Sequence, residues 1–451
     1  MTPLTKGYPT FDCDAHITEQ PAIWEYLSAK EKEFVRHWFW PQGEMVVVNG
    51  NQQTPGNWGH GRSQVRGYGF HADGRRVPST IEIAGPGTNK KLMRKLYSMD
   101  LTDEQIDYVT QKGARDPHAR LTDMDQQGID QVMVVPLMMF SAFLFVENYE
   151  AAALMARAYN DWVADWCSAA PDRLFPAAVI PVHNPFLAAE ELRRLANLGF
   201  KIAMVRPVDV QGRYPNQDSF APMWKAFEET GLVVGIHSLV TGSAVLNKTG
   251  HNWTPGLFID KAVNPKQMAA ASQTMSFAHE AQTWLTNVLL SGFLERYPGI
   301  ARMAIMESNA SWLPWLLEQC DKAVDLYRNQ RSVQVNRRPS EIFMERCFIA
   351  FEGDEKPVYR QNSLYEDIGI WSSDVYHHDG ADAWVAMREM KALGVPKSVE
   401  AKLMGGNARR MYGIEPPTRW INQEPDSYPR PDWYPKVEDV EREYAPRMVG
   451  R

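Results

Sequence analysis

Three short segments carry the residue types that site chemistry needs. In DCDAHITE, Asp12, Asp14 and His16 stand at alternate positions. Residues two apart on a β-strand share a face, so these three side chains are expected to point the same way. A carboxylate and an imidazole at that spacing can hold one divalent ion, because oxygen and nitrogen donors both suit it. The same pair also serves as a hydrogen-bonded couple at a strand end. In LVVGIHSLV, His237 closes a strongly apolar run, a place that fits either a ligand or a satisfied core histidine. In WSSDVYHHDG, Asp374 ends another apolar run, and His377 and His378 come just after it. A carboxylate there can ligate metal or act as general base on a bound water. Asp and Gly also favour helix caps and turns.

The elements that must position these residues are legible as apolar runs. The first spans Pro9 to Thr18. Seven more lie from residue 131 onward: QVMVVPLMMF, LFPAAVIPV, IAMVRPV, VVGIHS, ARMAIME, CFIAFEGD and IGIWSSD. Helical patterns such as NPFLAAEELRRLANLG and APMWKAFEETG lie between them. Eight strands alternating with helices predict an α/β fold, a (β/α)8 TIM barrel. No G-x-G-x-x-G turn comes after a strand, which weakens a dinucleotide-binding sheet. In this count Asp14 and His16 end strand one, His237 ends strand five and Asp374 ends strand eight. Strands one and eight are neighbours in a closed barrel, so the candidates converge on its mouth.

The expected domain is residues 1–414, a metal-dependent barrel with an insertion over about 24–120. That insertion is rich in Gly, Asn and Gln. Long loops over a barrel mouth act as lids, and Trp58, His60, Arg62 and Tyr68 are its candidates for reaching a ligand, His60 and Arg62 foremost. Residues 415–451 are rich in Pro, Trp and Tyr. They read as an arm lying on their own barrel or on a neighbouring subunit.

Composition excludes other classes. The net charge is −7, so neither nucleic acid nor an anionic membrane is an expected partner. The four cysteines, Cys13, Cys167, Cys320 and Cys347, form no C-x-x-C pair. A reducing cytoplasm is the expected compartment. No apolar stretch is long enough for a signal peptide or a membrane span.

With these residues in hand, the chain resembles the amidohydrolase-related family of the metal-dependent hydrolase superfamily. The branch is that of aminocarboxymuconate-semialdehyde decarboxylase and aromatic-acid decarboxylases. The matching pieces are DCDAHITE, VVGIHS, SGFLERYPGIARMAIMESNASWLPWLLEQCD, WSSDVYHHDG and LMGGNARRMYGI, in family order. They cover most of residues 9–19 and 120–414. The resemblance implies a divalent metal at the mouth, with Asp14, His16, His237 and Asp374 as ligands. Zinc or manganese is the first expectation and iron the alternative. Many relatives have H-x-H or E-x-H on the first strand, where this chain has Asp14 and His16. Some carry a histidine after strand six, where this chain has Glu307-Ser308-Asn309. Glu307 either replaces that histidine in handling protons or is simply buried.

Other residues are candidates of lesser weight. His279, in TMSFAHEAQTW, is read as preceding the helix that leads to strand six; it suits a substrate contact, a second metal ion or an ordinary helix start. His183 and Arg206 read as structural, although Arg206 has the better shape for a substrate carboxylate. His377 is a candidate substrate contact. The leading expectation is a metal-dependent hydrolase or non-oxidative decarboxylase of a small, carboxylate-bearing substrate. Asp374 would position or deprotonate water, and Glu307 or His279 would handle protons. The alternatives are a dinuclear iron oxygenase on the same barrel and a metal-poor subunit of a hetero-oligomer. A homo-oligomer, a dimer first of all, is the expected assembly, with pairing to a paralogue as the other arrangement.

Overall fold

The computed structural model describes residues 3–42, 45–48, 51–53, 70–72, 75–77, 82–137, 139, 143–238, 268–330 and 335–443. Eight strands form one parallel sheet in chain order. They are β1 (Phe11–Ile17), β2 (Gln131–Pro136), β3 (Leu174–Val179), β4 (Ile202–Val205), β5 (Val233–His237), β6 (Met303–Met306), β7 (Cys347–Glu352) and β8 (Gly369–Ser372). β2 to β8 are largely apolar runs because both their faces are covered, whereas β1 carries Asp12, Asp14 and His16. Helices Tyr149–Cys167, Pro185–Asn197, Ala221–Thr230, Met268–Leu290, Leu313–Leu326 and Ala383–Ala392 form the outer layer.

Two separate packed regions arise from the two-residue period of the strands. Phe11, Cys13, Met133, Val135, Met204, Met306 and Ile370 fill the barrel interior. Their neighbours Ala15, Ile17, Val132, Val134, Val205 and Ile305 face the helices. This is the layered filling of a (β/α)8 barrel, a packed core with its mouth at the strand C-termini.

Hydrogen bonds between β1 and β8 draw the sheet into a barrel. Cys13 Sγ donates to the Trp371 carbonyl at 2.9 Å, Asp374 N to the Asp14 carbonyl at 3.1 Å, and His16 N to the Val375 carbonyl at 2.6 Å. At this seam β1 departs from the simple alternation. Its register against β2 shifts between Asp12 and Ala15. Such a bulge inserts one residue and re-aims the side chains beyond it. Phe11 and Cys13 face inward, Ala15 and Ile17 outward, so Asp12 and Asp14 do not share a face. The expectation that Asp12, Asp14 and His16 point together is corrected here. Asp12 Oδ1 accepts from Ser373 N at 3.0 Å and from Asp14 N at 3.2 Å, and its other oxygen accepts from the Ser373 hydroxyl. Asp12 therefore fastens the seam. Burial pushes its carboxyl up to about 7, against those hydrogen bonds.

The described part of the 24–120 segment includes helices Ala29–Trp38, Lys90–Ser98 and Asp103–Val109. The C-terminal residues lie on the same chain. Lys6 N donates to the Asn422 carbonyl at 2.8 Å, and Glu424 pairs with Arg388 at 2.5 Å. Further on, Glu441 and Glu443 meet Lys91 and Lys95 at 3.3 and 2.8 Å, tying helix Val437–Glu443, the last among the described residues, to Lys90–Ser98. Among the described residues no helix is long and apolar enough to cross a membrane. All four cysteines are buried and free.

The seam gives a direct stability test. Asp12→Ala strips the acceptor from two buried backbone N–H groups and a hydroxyl, and is expected to cost about 2–4 kcal/mol. Urea denaturation measures this; a loss below about 0.5 kcal/mol, the range of an ordinary surface change, would show that Asp12 does not fasten the seam.

Candidate metal centre

The bulge turns Asp14 and His16 together into the mouth, and β5 brings His237 to meet them. Below His237, Gly235 faces the same interior. A Cβ there would come within 2.4 Å of Met204 Sδ, so the absence of a side chain lets the strand pack under the site. Nε2 of His237 lies 3.4 Å from Asp14 Oδ2, and Nε2 of His16 lies 3.7 Å from Asp14 Oδ1. The two rings stand nearly perpendicular, 5.5 Å apart. Nδ1 of His16 is 3.2 Å from the Pro136 carbonyl, and Nδ1 of His237 is 2.6 Å from the Ser238 carbonyl. A carbonyl only accepts, so each Nδ1 carries the proton, and this leaves Nε2 of a neutral ring as a lone pair aimed at the cluster.

Two more carboxylates reach the site from the ends of β6 and β8. Both Glu307 and Asp374 take left-handed backbone conformations, with φ of 44° and 54°. For non-glycine residues this costs roughly 1–2 kcal/mol each, and such strain collects at functional sites. Hydrogen bonds hold the two turns. Glu355 accepts from Ala310 N and Ser311 N at 2.8 and 2.7 Å behind Glu307. Behind Asp374, His377 N donates to its carbonyl at 2.8 Å. Glu307 Oε2 then lies 2.9 Å from His237 Nε2, and Asp374 Oδ1 lies 3.3 Å from His16 Nε2.

Charge explains the protonation preferences. Burial works against a charged His237 ring, yet the carboxylates of Asp14 and Glu307 outweigh it and push the ring up to about 10. His377 is pushed up to about 9, with Asp374 overcoming burial. Asp374 itself is held far below the usual carboxylate range, since His377 and His16 outweigh its burial. Glu307 moves the other way, raised by burial despite His237. The carboxylates thus call for positive charge, which protons or a metal ion can supply.

The donor set fits a divalent ion. Ligand atoms of Asp14, His16 and His237 all lie within 4.8 Å of one another, and those of His16, Asp374 and His377 form a second such group. Both oxygens of Asp14, Nε2 of His16 and Oδ1 of Asp374 are buried without a hydrogen bond among the described residues. Buried polar atoms are normally satisfied, and a cation would satisfy these.

The remaining sequence candidates are distributed differently. Arg206, just past β4, is buried and pairs with Glu280 at 3.2 Å. His183 is buried edge-on to Phe143 at 5.0 Å, and burial pushes its ring down to about 4, so it is neutral. His279 lies inside helix Met268–Leu290 rather than before it, a correction to the sequence reading. The stretch AAASQTM ahead of it is rich in good helix formers, which carries the helix further back than its apolar pattern suggests. His279 is absent from both candidate metal groups. His378 faces Tyr97, with ring centroids 6.1 Å apart. Trp58, His60, Arg62 and Tyr68 lie outside the described residues.

Sequence reasoning missed two supports. Arg120 is fully buried, donates to the His16 carbonyl at 2.5 Å and lies 4.7 Å over the Tyr376 ring. Lys90, from the long segment after β1, binds Glu352 at the end of β7 and Asp354 at 3.1 Å. Glu352 in turn accepts from Asn309, next to the Glu307 turn, at 3.1 Å. These pairs are far apart in the chain, and no local pattern announces them.

A gamma-resorcylate decarboxylase from Rhizobium sp. (strain MTP-10005) is 24% identical over 310 residues, 66% of this chain and 86% of that protein. An amidohydrolase from Mycobacterium avium subsp. paratuberculosis K-10 shares the fold with a TM-score of 0.66 at 19% identity, covering 90% of this chain and all of that one. So does a 5-carboxyvanillate decarboxylase from Novosphingobium aromaticivorans, solved with manganese and 4-hydroxy-3-methoxy-5-nitrobenzoic acid. Its TM-score is 0.57 at 17% identity, over 91% of this chain and 97% of that one. The amidohydrolase family model matches residues 11–414, nearly the whole chain, and the protein belongs to that family as an enzyme of the amidohydrolase superfamily.

Proposed function

We propose that the protein is a metal-dependent, non-oxidative decarboxylase of a small aromatic carboxylate. The observation that carries this reading is the buried cluster of Asp14, His16 and His237, in which both oxygens of Asp14 and Nε2 of His16 have no hydrogen bond among the described residues. The decarboxylase relatives support the reaction, and the manganese bound in similarly folded proteins makes manganese the first choice of ion. Asp14, His16 and His237 would hold one ion, and Asp374 beside His16 would complete the set. The barrel with its insertion, residues 1–414, would carry the chemistry, and residues 415–451 would brace it as an arm.

A bound divalent ion would draw charge from the substrate's carboxylate and an adjacent oxygen. The chain supplies the rest. Arg120 and the β1 bulge fix the backbone of His16, and the seam at Asp12 fixes Asp14. Glu307 and Asp374 have carboxyls pushed in opposite directions, the arrangement that separates an acid from a base. Glu307, whose carboxyl burial raises, would hand a proton to the ring carbon as the bond to the departing carboxylate breaks. One C–C bond is lost as CO2, one C–H bond forms, and no oxidant is needed.

The test is turnover of 2,6-dihydroxybenzoate and 5-carboxyvanillate by manganese-loaded protein, with release of CO2 monitored directly. Decarboxylation lost on chelation and restored by Mn2+ is expected. A hydrolytic product, or oxygen consumption coupled to turnover, would replace this reading with another chemistry.

Two variants divide the work of the site. His237→Ala is expected to weaken Mn2+ binding by more than about 100-fold, since losing even an outer partner of a ligand costs about 10–100-fold. Unchanged metal content would remove His237 from the ligand set. Asp374→Asn is expected to reduce turnover by about 10²–10⁴-fold with the melting temperature nearly unchanged. Full activity in that variant would exclude Asp374 from the reaction.

A further inference from the structure

His377 belongs to one of the two candidate metal groups, yet its orientation argues against a ligand role beside His16. The two rings stack with centroids 4.1 Å apart and planes only 11° from parallel. The lone pair of an imidazole nitrogen lies in the plane of its ring. Parallel stacked rings therefore do not converge on one ion. What His377 does make is a hydrogen bond between its Nδ1 and Asp374 Oδ2 at 3.1 Å, with Nδ1 also 2.9 Å from Oδ1 as an ion pair. The same Oδ1 lies 3.3 Å from His16 Nε2.

The backbone holds His377 in that place. His377 N donates to the Asp374 carbonyl at 2.8 Å, and Gly380 N donates to the His377 carbonyl at 3.0 Å. A Cβ on Gly380 would come within 2.9 Å of the Asp374 carbonyl oxygen, so this turn closes tightly only with glycine. His377 is buried, so the ring is confined between His16 and Asp374.

We propose that His377 is a positioning residue of the metal site, orienting two of its ligands at once: Asp374 through the Nδ1 hydrogen bond and His16 through the ring stack. This rests on the metal reading above. Partners of this kind fix ligand orientation, and their loss typically costs 10–100-fold in metal affinity. A hydrogen bond to an ionised carboxylate outweighs a ring stack, so the two contributions are separable by substitution. Asn places an N–H donor where Nδ1 stands and removes the ring. Phe keeps the ring and removes the donor.

The experiment is titration of metal-free protein with Mn2+ alone, read by electron paramagnetic resonance, which reports free and bound ion and the symmetry of the bound site. Wild type is expected to bind one equivalent. His377→Ala and His377→Phe are expected to bind about 10–100-fold more weakly with an altered bound-ion spectrum. His377→Asn is expected to stay within about fivefold of wild type, a rescue that general damage to the fold would not give. If the Ala variant is unstable, the Asn and Phe pair still decides. Wild-type affinity in His377→Ala, or equal affinity in the Asn and Phe variants, overturns the proposal. Two equivalents in wild type falling to one in His377→Ala would make His377 a ligand of its own ion. No Mn2+ binding by wild type would instead remove the metal reading on which the proposal stands.

Discussion

The site depends on one electrostatic constraint: three largely buried carboxylates, Asp14, Glu307 and Asp374, share the mouth of one barrel. Their ion-pair partners among the described residues are imidazoles, not lysines or arginines. A buried carboxylate without a counter-charge is costly enough to take up a proton instead. The histidines respond by holding protons above their ordinary range. A divalent ion answers the same demand with one charge centre and releases those protons. The fit to a metal ion, the raised His237 and the depressed Asp374 are thus consequences of one charge imbalance.

That constraint explains the unusual backbone around it. The bulge in β1 is what lets Asp14 and His16 both face the mouth while Asp12 serves the seam. The left-handed turns at Glu307 and Asp374 bring carboxylates inward just where their strands end. Arg120, Glu355 and the Asp12 seam hold backbone in place that would otherwise relax. The Lys90–Glu352–Asn309 chain joins the long segment after β1 to the Glu307 turn, and acidic residues of the last helix hold the Lys90 helix from the other side. The barrel mouth is thereby tied to the segment after β1 and to the helix Val437–Glu443.

Much of this was legible in the sequence. Parallel strands buried on both faces are mostly apolar runs, so all eight were visible, and so were the polar residues that end most of them. Asp14, His16, His237 and Asp374 stood out because a charged or imidazole side chain at such a boundary is conspicuous. The direction of Asp12 was not legible. A bulge is a property of strand pairing, and an ideal alternation places Asp12 with Asp14. The helix around His279 was misplaced because its start is written in helix propensity rather than in an apolar stripe. Lys90 and Arg120 were missed because their partners are set by tertiary closure, not by spacing.

The central claim is a single divalent ion bound by Asp14, His16 and His237. Anomalous diffraction at the manganese edge, from crystals of manganese-loaded protein, tests it most directly. One peak is expected in the barrel mouth, roughly 2.0–2.3 Å from His16 Nε2, His237 Nε2 and an oxygen of Asp14. Two peaks, or one that His237 does not ligate, would contradict it.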